Sequence, residues 1–407
     1  MEAHLITLNV ILAFATSAVI TAYDIPVIIS LARSKKLVDE PDDIRKLHHR
    51  PVPSLGGIAI FVGIIISFSL WMGSNMPSFY PFLVAGSVLL LTVGVKDDIV
   101  AMRASKKFLA QLLAATMVVI GGNLRLYSLD GFLGLSYVPE GIAILWTVLA
   151  IVFIINAFNL IDGVDGLAGT LALVGAFFFG IWFAVNGHIG EALLAASLCG
   201  ALLGFLRYNI YPARIFMGDT GSLIIGFILA VMAFRLIELN AVSTVFTFKS
   251  PTVFAVSLLI IPLFDTLRVM LVRLMMRRSP FQPDRNHLHH RLILLGFGHR
   301  NICSFLVYAS IIIIALTVLL SQSEIHIHYF SLLIMAAVVL PLASMMKRLQ
   351  KSIRISLTQR KQEYPSYSLK TGINSKRLAD FRVDFKKRAR INTGAPSAMQ
   401  KSIKHNL

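Results

Sequence analysis

Asn156-Ala-Phe-Asn159-Leu-Ile-Asp162-Gly163-Val-Asp165-Gly166-Leu-Ala-Gly169 follows directly on an apolar run that begins near residue 140. An ionised carboxylate near the centre of a bilayer costs about 2.5–3.5 kcal/mol on insertion scales, so such residues belong at an interface or facing a polar cavity. Two carboxylates, two carboxamides and three glycines at the end of a span-length run therefore read as a site at a membrane face. A plain turn between helices needs one or two such residues, not four. Glycine at 163 and 166 breaks the helix near Asp162 and lets a ligand approach the backbone. The helix start that follows can hold an anion on its free N–H groups.

Two more places repeat the pattern. Val95-Lys-Asp97-Asp98-Ile99 ends one apolar run, and Phe216-Met-Gly-Asp219-Thr-Gly-Ser222 opens another. Adjacent carboxylates point about 100° apart on a helix. One of Asp97 and Asp98 can contact a metal or substrate while the other orients it or takes a proton. Asp219 can cap its helix, and it is also a hard oxygen ligand of the kind Mg²⁺ shares with phosphate and water. Phe216 could stack on a nucleobase.

Working outward, the 407 residues are 56% hydrophobic and 14% charged, where a soluble domain carries about 25% charged residues. The chain is expected to be an all-α polytopic membrane protein. Eleven apolar runs are long enough to span: about 5–32, 56–74, 80–95, 107–122, 140–157, 168–187, 190–207, 221–238, 251–272, 302–321 and 327–346. The first run is too long for a cleavable signal and reads as a retained helix with the N-terminus outside. The two cysteines, Cys199 and Cys303, lie in apolar runs and form no disulfide framework or zinc spacing.

Threading eleven helices from an outside N-terminus puts the C-terminus inside and sorts the charges. Of 38 Lys and Arg, only Arg125, Arg235 and Lys249 fall outside. Without the sixteen in the tail, nineteen inner residues still face those three. The same threading brings Asp97, Asp98, Asp162, Asp165, Asp219 and the histidine cluster to the inner face. The net charge of +17 thus belongs to membrane topology and gives no reason to expect nucleic acid. Residues 347–407 form a basic cytoplasmic tail, with one expected helix near 375–390, attracted to anionic membrane lipids.

Arg285-Asn-His287-Leu-His289-His290-Arg291 suits phosphate oxygens. Zinc is the weaker reading, since no fourth ligand stands at normal spacing. Lys46-Leu-His48-His49-Arg50-Pro-Val-Pro53-Ser-Leu-Gly56-Gly57 is a stiffened basic loop ending in a glycine pair. Asp24 lies within the first apolar run, and no function attaches to it.

In this order, residues 5–345 resemble the polyprenyl-phosphate N-acetylhexosamine-1-phosphate transferases of glycosyltransferase family 4. The Pro-Val-Pro-Ser-Leu-Gly-Gly and His-Leu-His-His-Arg forms look like the WecA/TagO branch. The related MraY branch typically has three consecutive histidines and a Pro-Thr-Met-Gly-Gly loop, which this chain lacks. The resemblance implies transfer of GlcNAc-1-phosphate from UDP-GlcNAc to undecaprenyl phosphate, releasing UMP and initiating cell-surface polysaccharide synthesis. It implies a bacterial inner membrane, a cytoplasmic active site and Mg²⁺, with Mn²⁺ as a substitute. It also suggests a homodimer.

Carried over by position, Asp219 would ligate the metal, with Asn159 or Asp98 as a second ligand. Asp97 would contact or deprotonate the lipid phosphate. Asp162 and Phe216 would hold the uridine, with Asn209 nearby. His287, His289 and Arg291 would contact the donor phosphates, and Lys46 and His48 would line the cleft. Asp165 joins the candidate catalytic group, and Asn156 and His290 the substrate-binding one. A phospho-MurNAc-pentapeptide transferase and, from another class, a cation-coupled transporter are the alternatives. A transporter predicts acids near mid-membrane and an inverted repeat; here the acidic motifs cluster at the inner face, and the sequence shows no repeat.

Overall fold

The computed structural model describes residues 2–35, 37, 52–73, 76–128, 137–277 and 287–321. Its elements are α1 (Glu2–Ser34), α2 (Gly56–Trp71), α3 (Tyr80–Ile99), α4 (Ala104–Thr116, prolonged by a π turn at Met117–Gly121), α5 (Glu140–Ile161) and α6 (Leu167–Val185). Then come α7 (Ile189–Asn209), α8 (Gly218–Asn240), α9 (Pro251–Leu258), α10 (Ile260–Met275), α11 (Leu288–Leu294) and α12 (His299–Leu320). Every element among the described residues is helical. Seven helices are long and apolar enough to cross a membrane, eight if α9 and α10 count as one bent span. Ten of the eleven expected runs fall on these helices. The eleventh, 327–346, and the tail 347–407 lie outside the described residues.

The expected run 251–272 is broken: α9 and α10 meet at 85°. Pro262 explains the break. It has no N–H to give the carbonyl of Leu258, and its ring would strike that carbonyl in a continuous helix. Beyond the bend α10 is two-sided. Pro262, Asp265, Thr266, Val269 and Arg273 are buried, whereas Leu267, Leu271, Leu274 and Met275 are exposed.

At the centre stands α8, packed against α2, α3, α5, α6 and α9, with α7 buried almost throughout. Lipid is as apolar as leucine, so helices in a bilayer gain their contacts from close approach of small residues and from hydrogen bonds. α1 follows this rule. A Cβ on Gly200 would strike the Phe14 carbonyl, and one on Gly204 the Ala18 carbonyl. Thr21 donates to the carbonyl of Ala59 and Ser67 to that of Ala13.

The end of the bundle that carries the acidic motifs is packed most closely. A Cβ on Gly57 would meet the backbone of Gly221, and one on Gly94 the backbone of Thr220. α2, α3 and α8 therefore touch backbone to backbone there. The opposite end is tied by polar contacts. Arg235 on α8 donates to buried Glu191 on α7 at 2.6 Å and lies over the Phe79 ring.

Candidate active site

Helix ends build the site. The C-termini of α3 and α5 and the N-termini of α4 and α8 converge. The segment before α8 is braced by the Pro53–Gly57 stretch: Phe216 N donates to the Pro53 carbonyl at 2.8 Å, and Gly56 N and Gly57 N return bonds to Phe216 and Met217 at 3.0 Å. Gly218 starts α8 at φ +70°, where a side chain would meet the Ser54 carbonyl and the Asp98 carboxylate. Only glycine takes that conformation without cost.

Asp98 caps this helix from outside. Its Oδ1 accepts from Asp219 N at 2.8 Å, and its Oδ2 from Thr220 N at 3.0 Å and Thr220 Oγ1 at 2.6 Å. A carboxylate here satisfies orphan N–H groups and suits the positive end of the helix dipole. Asp98, expected as an alternative to Asn159 for the second metal ligand, aims Asp219 through these bonds.

Asp219 itself accepts from Asn159 Nδ2 at 2.8 Å, and the same amide donates to Ser222 Oγ at 2.9 Å. On its other side Asp219 pairs with Lys107 of α4. The Lys107 ammonium also meets Asp97 at 3.0 Å, and the second Asp97 oxygen accepts from Met102 N at 2.6 Å. One cation thus joins the acidic ends of α3 and α8. Nothing in the spacing of Lys107 marks it in the sequence.

Among the described residues no three His, Cys, Asp or Glu side chains group as a metal cluster. Asp219 supplies hard carboxylate oxygens, with the Asn159 amide turned to them through its NH₂. That set fits a cation which keeps water and phosphate oxygens as its remaining ligands, as Mg²⁺ does, and does not fit zinc.

Asp162 ends α5, and among the described residues no hydrogen bond to its carboxylate is seen. Desolvation, then the negative charges of Asp219, Asp98 and Asp165, push its carboxyl up to about 7. Asp165 and Asn209 brace loops beside the site. Asp165 accepts from Ala213 N at 3.0 Å and faces His299 at 3.4 Å. Asn209 accepts from Gly166 N at 3.0 Å and donates to the Ile215 carbonyl at 2.9 Å. Asn156 is held one turn further into the span, donating to Gln111 Oε1 at 2.7 Å and the Val152 carbonyl at 2.8 Å. These three hold the site's frame together. Phe216 is half-buried beside the Asp219 helix start.

The histidine segment meets this cluster at Gly163. A Cβ on Gly163 would land on the His289 ring. His289 is buried, and among the described residues neither of its ring nitrogens has a hydrogen-bond partner. Its ring stacks on His287 at 5.8 Å and lies 4.2 Å from that of His290. Desolvation, then His290, push its imidazole down to about 3, so it stays neutral at working pH. His287 precedes α11 and meets Asp265 of α10 through Nδ1 at 3.0 Å. His290 and Arg291 follow on α11, half-buried. Lys46 and His48 lie outside the described residues. Asp265 escaped sequence reading, although an acid inside the apolar run 251–272 is the signal that could have found it.

Residues 80–237, which carry Asp97, Asp98, the Asn156–Gly169 motif and Asp219, match the model of glycosyl transferase family 4. Several relatives align over most of the chain. The probable undecaprenyl-phosphate N-acetylglucosaminyl 1-phosphate transferase of Bacillus subtilis is 32% identical over 301 residues, covering 72% of this chain and 80% of its own. The decaprenyl-phosphate N-acetylglucosaminephosphotransferase of Mycobacterium tuberculosis H37Rv is 33% identical over 312 residues, 70% of this chain and 76% of its own. The undecaprenyl-phosphate alpha-N-acetylglucosaminyl 1-phosphate transferase of Escherichia coli K12 is 30% identical over 301 residues, 72% and 79% respectively. With its apolar helices and its acids gathered at their ends, the chain is a multi-pass membrane protein and belongs to glycosyl transferase family 4.

Proposed function

We propose that this protein transfers N-acetylglucosamine-1-phosphate from UDP-GlcNAc to undecaprenyl phosphate, at the cytoplasmic face of a bacterial inner membrane. The observation that carries the reading is the cluster of Asp219, Asn159, Lys107 and Asp97 beside an aspartate–histidine wall, in a chain whose relatives are named for this transfer. Eleven spans, an outside N-terminus and an inside C-terminus complete the proposal, supported by the Lys and Arg distribution.

In the reaction, an oxygen of the lipid phosphate attacks the β-phosphorus of UDP-GlcNAc. The bond from that phosphorus to the bridging oxygen breaks, and UMP departs with the electron pair. Undecaprenyl-diphospho-GlcNAc remains. A phosphate monoester has a second pKa near ~6, so at neutral pH much of the acceptor is already dianionic. Asp97, engaged by Lys107 and Met102 N, then acts by holding the Lys107 ammonium toward the acceptor rather than by removing a proton. Asp219 and Asn159 would hold Mg²⁺, which supplies charge neutralisation for the diphosphate and its leaving oxygen. Asp162 and Phe216 face the uridine in this reading, and His287, His289 and Arg291 the donor phosphates.

A coupled transporter calls for acids at mid-span, whereas the acids of the cluster stand at helix ends. The test is transfer of radiolabel from UDP-GlcNAc into lipid by purified protein, with and without Mg²⁺. Labelled lipid with UMP release, lost in Asp219→Ala, is the expected result. Absence of labelling from every UDP-sugar in a folded sample overturns it.

A further inference from the structure

Asp265 has no part in the chemistry set out above, yet its carboxylate makes as many hydrogen bonds as that of Asp98. It lies on the buried side of α10, 1% exposed. Its Oδ1 accepts from Leu288 N at 2.9 Å and from Arg268 at 2.8 Å, and its Oδ2 meets His287 Nδ1 at 3.0 Å. Leu288 N is the first backbone N–H of α11, so one carboxylate both fixes the start of that short helix and grips the side chain before it. α10 packs on α5, whose end carries Asn159 and Asp162. The acid therefore ties the histidine segment to the same helix that presents the Asn–Asp motif.

The contact also sets chemistry on the ring. An ionised carboxylate is acceptor-only, so Nδ1 must carry the proton. Which nitrogen of an imidazole is free is decided by the bond the other makes. Nε2 is left as the nitrogen available to a ligand, on a ring that cannot rotate without breaking the Asp265 contact. His289 stacks 5.8 Å from this ring and packs on Gly163, so a shift in His287 is felt beside Asp162.

We infer that Asp265 is a positioning residue of the donor site, acting through His287: it fixes the tautomer and aim of that imidazole and seats the start of α11 on α10, with His289 beside Gly163. The inference rests on the proposed transferase reading and adds to it a residue and a mode of action. Asparagine at 265 keeps an oxygen for Leu288 N but turns an NH₂ toward Nδ1, which forces the proton to Nε2.

The experiment uses full-length protein in detergent with UDP-GlcNAc and undecaprenyl phosphate. Asp265→Asn is expected to lower kcat/KM for UDP-GlcNAc by about 10–100-fold, with the KM for the lipid and the unfolding midpoint close to wild type. In a His287→Ala background the same substitution is expected to cost less than about 2-fold, because its effect is already spent. A loss as large in that background as in wild type, with a fallen midpoint, overturns the positioning role in favour of a purely structural one. A second readout needs no turnover. ¹⁵N NMR of histidine-labelled protein at pH 8, with His287→Gln to assign the ring, should show Nδ1–H in wild type and Nε2–H in Asp265→Asn. An unchanged tautomer sinks the inference. A wild-type protein that transfers nothing while its tautomer switches as expected removes the transferase reading and leaves the Asp265–His287 link standing.

Discussion

Replacing Asp98 by alanine separates a metal ligand from a helix cap. The substitution removes three hydrogen bonds, to Asp219 N, Thr220 N and Thr220 Oγ1. Bonds to an ionised acceptor contribute about 1.5–3 kcal/mol each, while loss of an ordinary exposed cap costs about 0.5–2 kcal/mol. Thr220 is fully buried, so water cannot replace the lost acceptor, and the upper part of the cap range is a floor. Because the three bonds share one carboxylate and are not additive, a loss of about 3–4 kcal/mol is expected. At about 2 °C per kcal/mol, the unfolding midpoint falls by roughly 6–8 °C. Asp98→Asn retains one acceptor oxygen and should lose about half as much. The assay is thermal unfolding of detergent-purified protein at a fixed scan rate, because such unfolding is often irreversible. It is run in EDTA, where a ligand role contributes nothing. A midpoint in EDTA unchanged by Asp98→Ala, together with a raised Mg²⁺ requirement for turnover, would refute the capping argument.

Three other substitutions probe separate links. Lys107→Gln leaves Asp97 and Asp219 without their shared cation; with the ammonium 21% exposed, the loss is discounted to about 2–3 kcal/mol, or roughly 30–150-fold in rate, whereas exposed Lys106→Gln leaves initial rates near wild type. Gly163→Ala drives a methyl group into the walled-in His289 ring, an overpacking of about 1–3 kcal/mol that should raise the KM for UDP-GlcNAc about 10-fold or more and spare the KM for lipid. Asp162, raised to about 7 from an unfolded value of 3.8, binds more protons folded than unfolded; its contribution is complete below pH ~4 and is lost as pH rises through ~7. Stability measured in EDTA should therefore decline over that window in wild type, and Asp162→Asn should flatten the slope.

Apolar run lengths were enough to locate ten helical stretches, up to eight of them long and apolar enough to span, because a bilayer imposes length and composition on each span independently of its neighbours. The 85° break at Leu259 was hidden because Pro262 alone does not say whether a helix kinks or stops. At the site, the Asn159–Asp219 pair was legible from residue type and from the threading that put both at one face. Lys107 was not, since a cation at the start of an amphipathic helix looks like any headgroup-facing lysine until its partners are known. Asn156, Asn209 and Asp165 carry bracing contacts that were not legible either. Polar residues in a membrane chain must satisfy backbone groups as well as substrates, and composition cannot tell a loop brace from a ligand contact.

Backbone contact between α2, α3 and α8 at Gly57, Gly94 and Gly221 has a consequence for how such a site can change. Where side chains separate two helices, one substitution can be absorbed by repacking another. Here there is no intervening volume to trade. The wall holding Asp97, Asp98 and Asp219 behaves as a single casting, in which each added methyl must move a whole helix. The opposite wall, where His287, His289 and His290 pack ring on ring, has side chains to exchange. Room to change is therefore confined by geometry to the histidine side, while the wall that carries Asp97, Asp98 and Asp219 stays fixed.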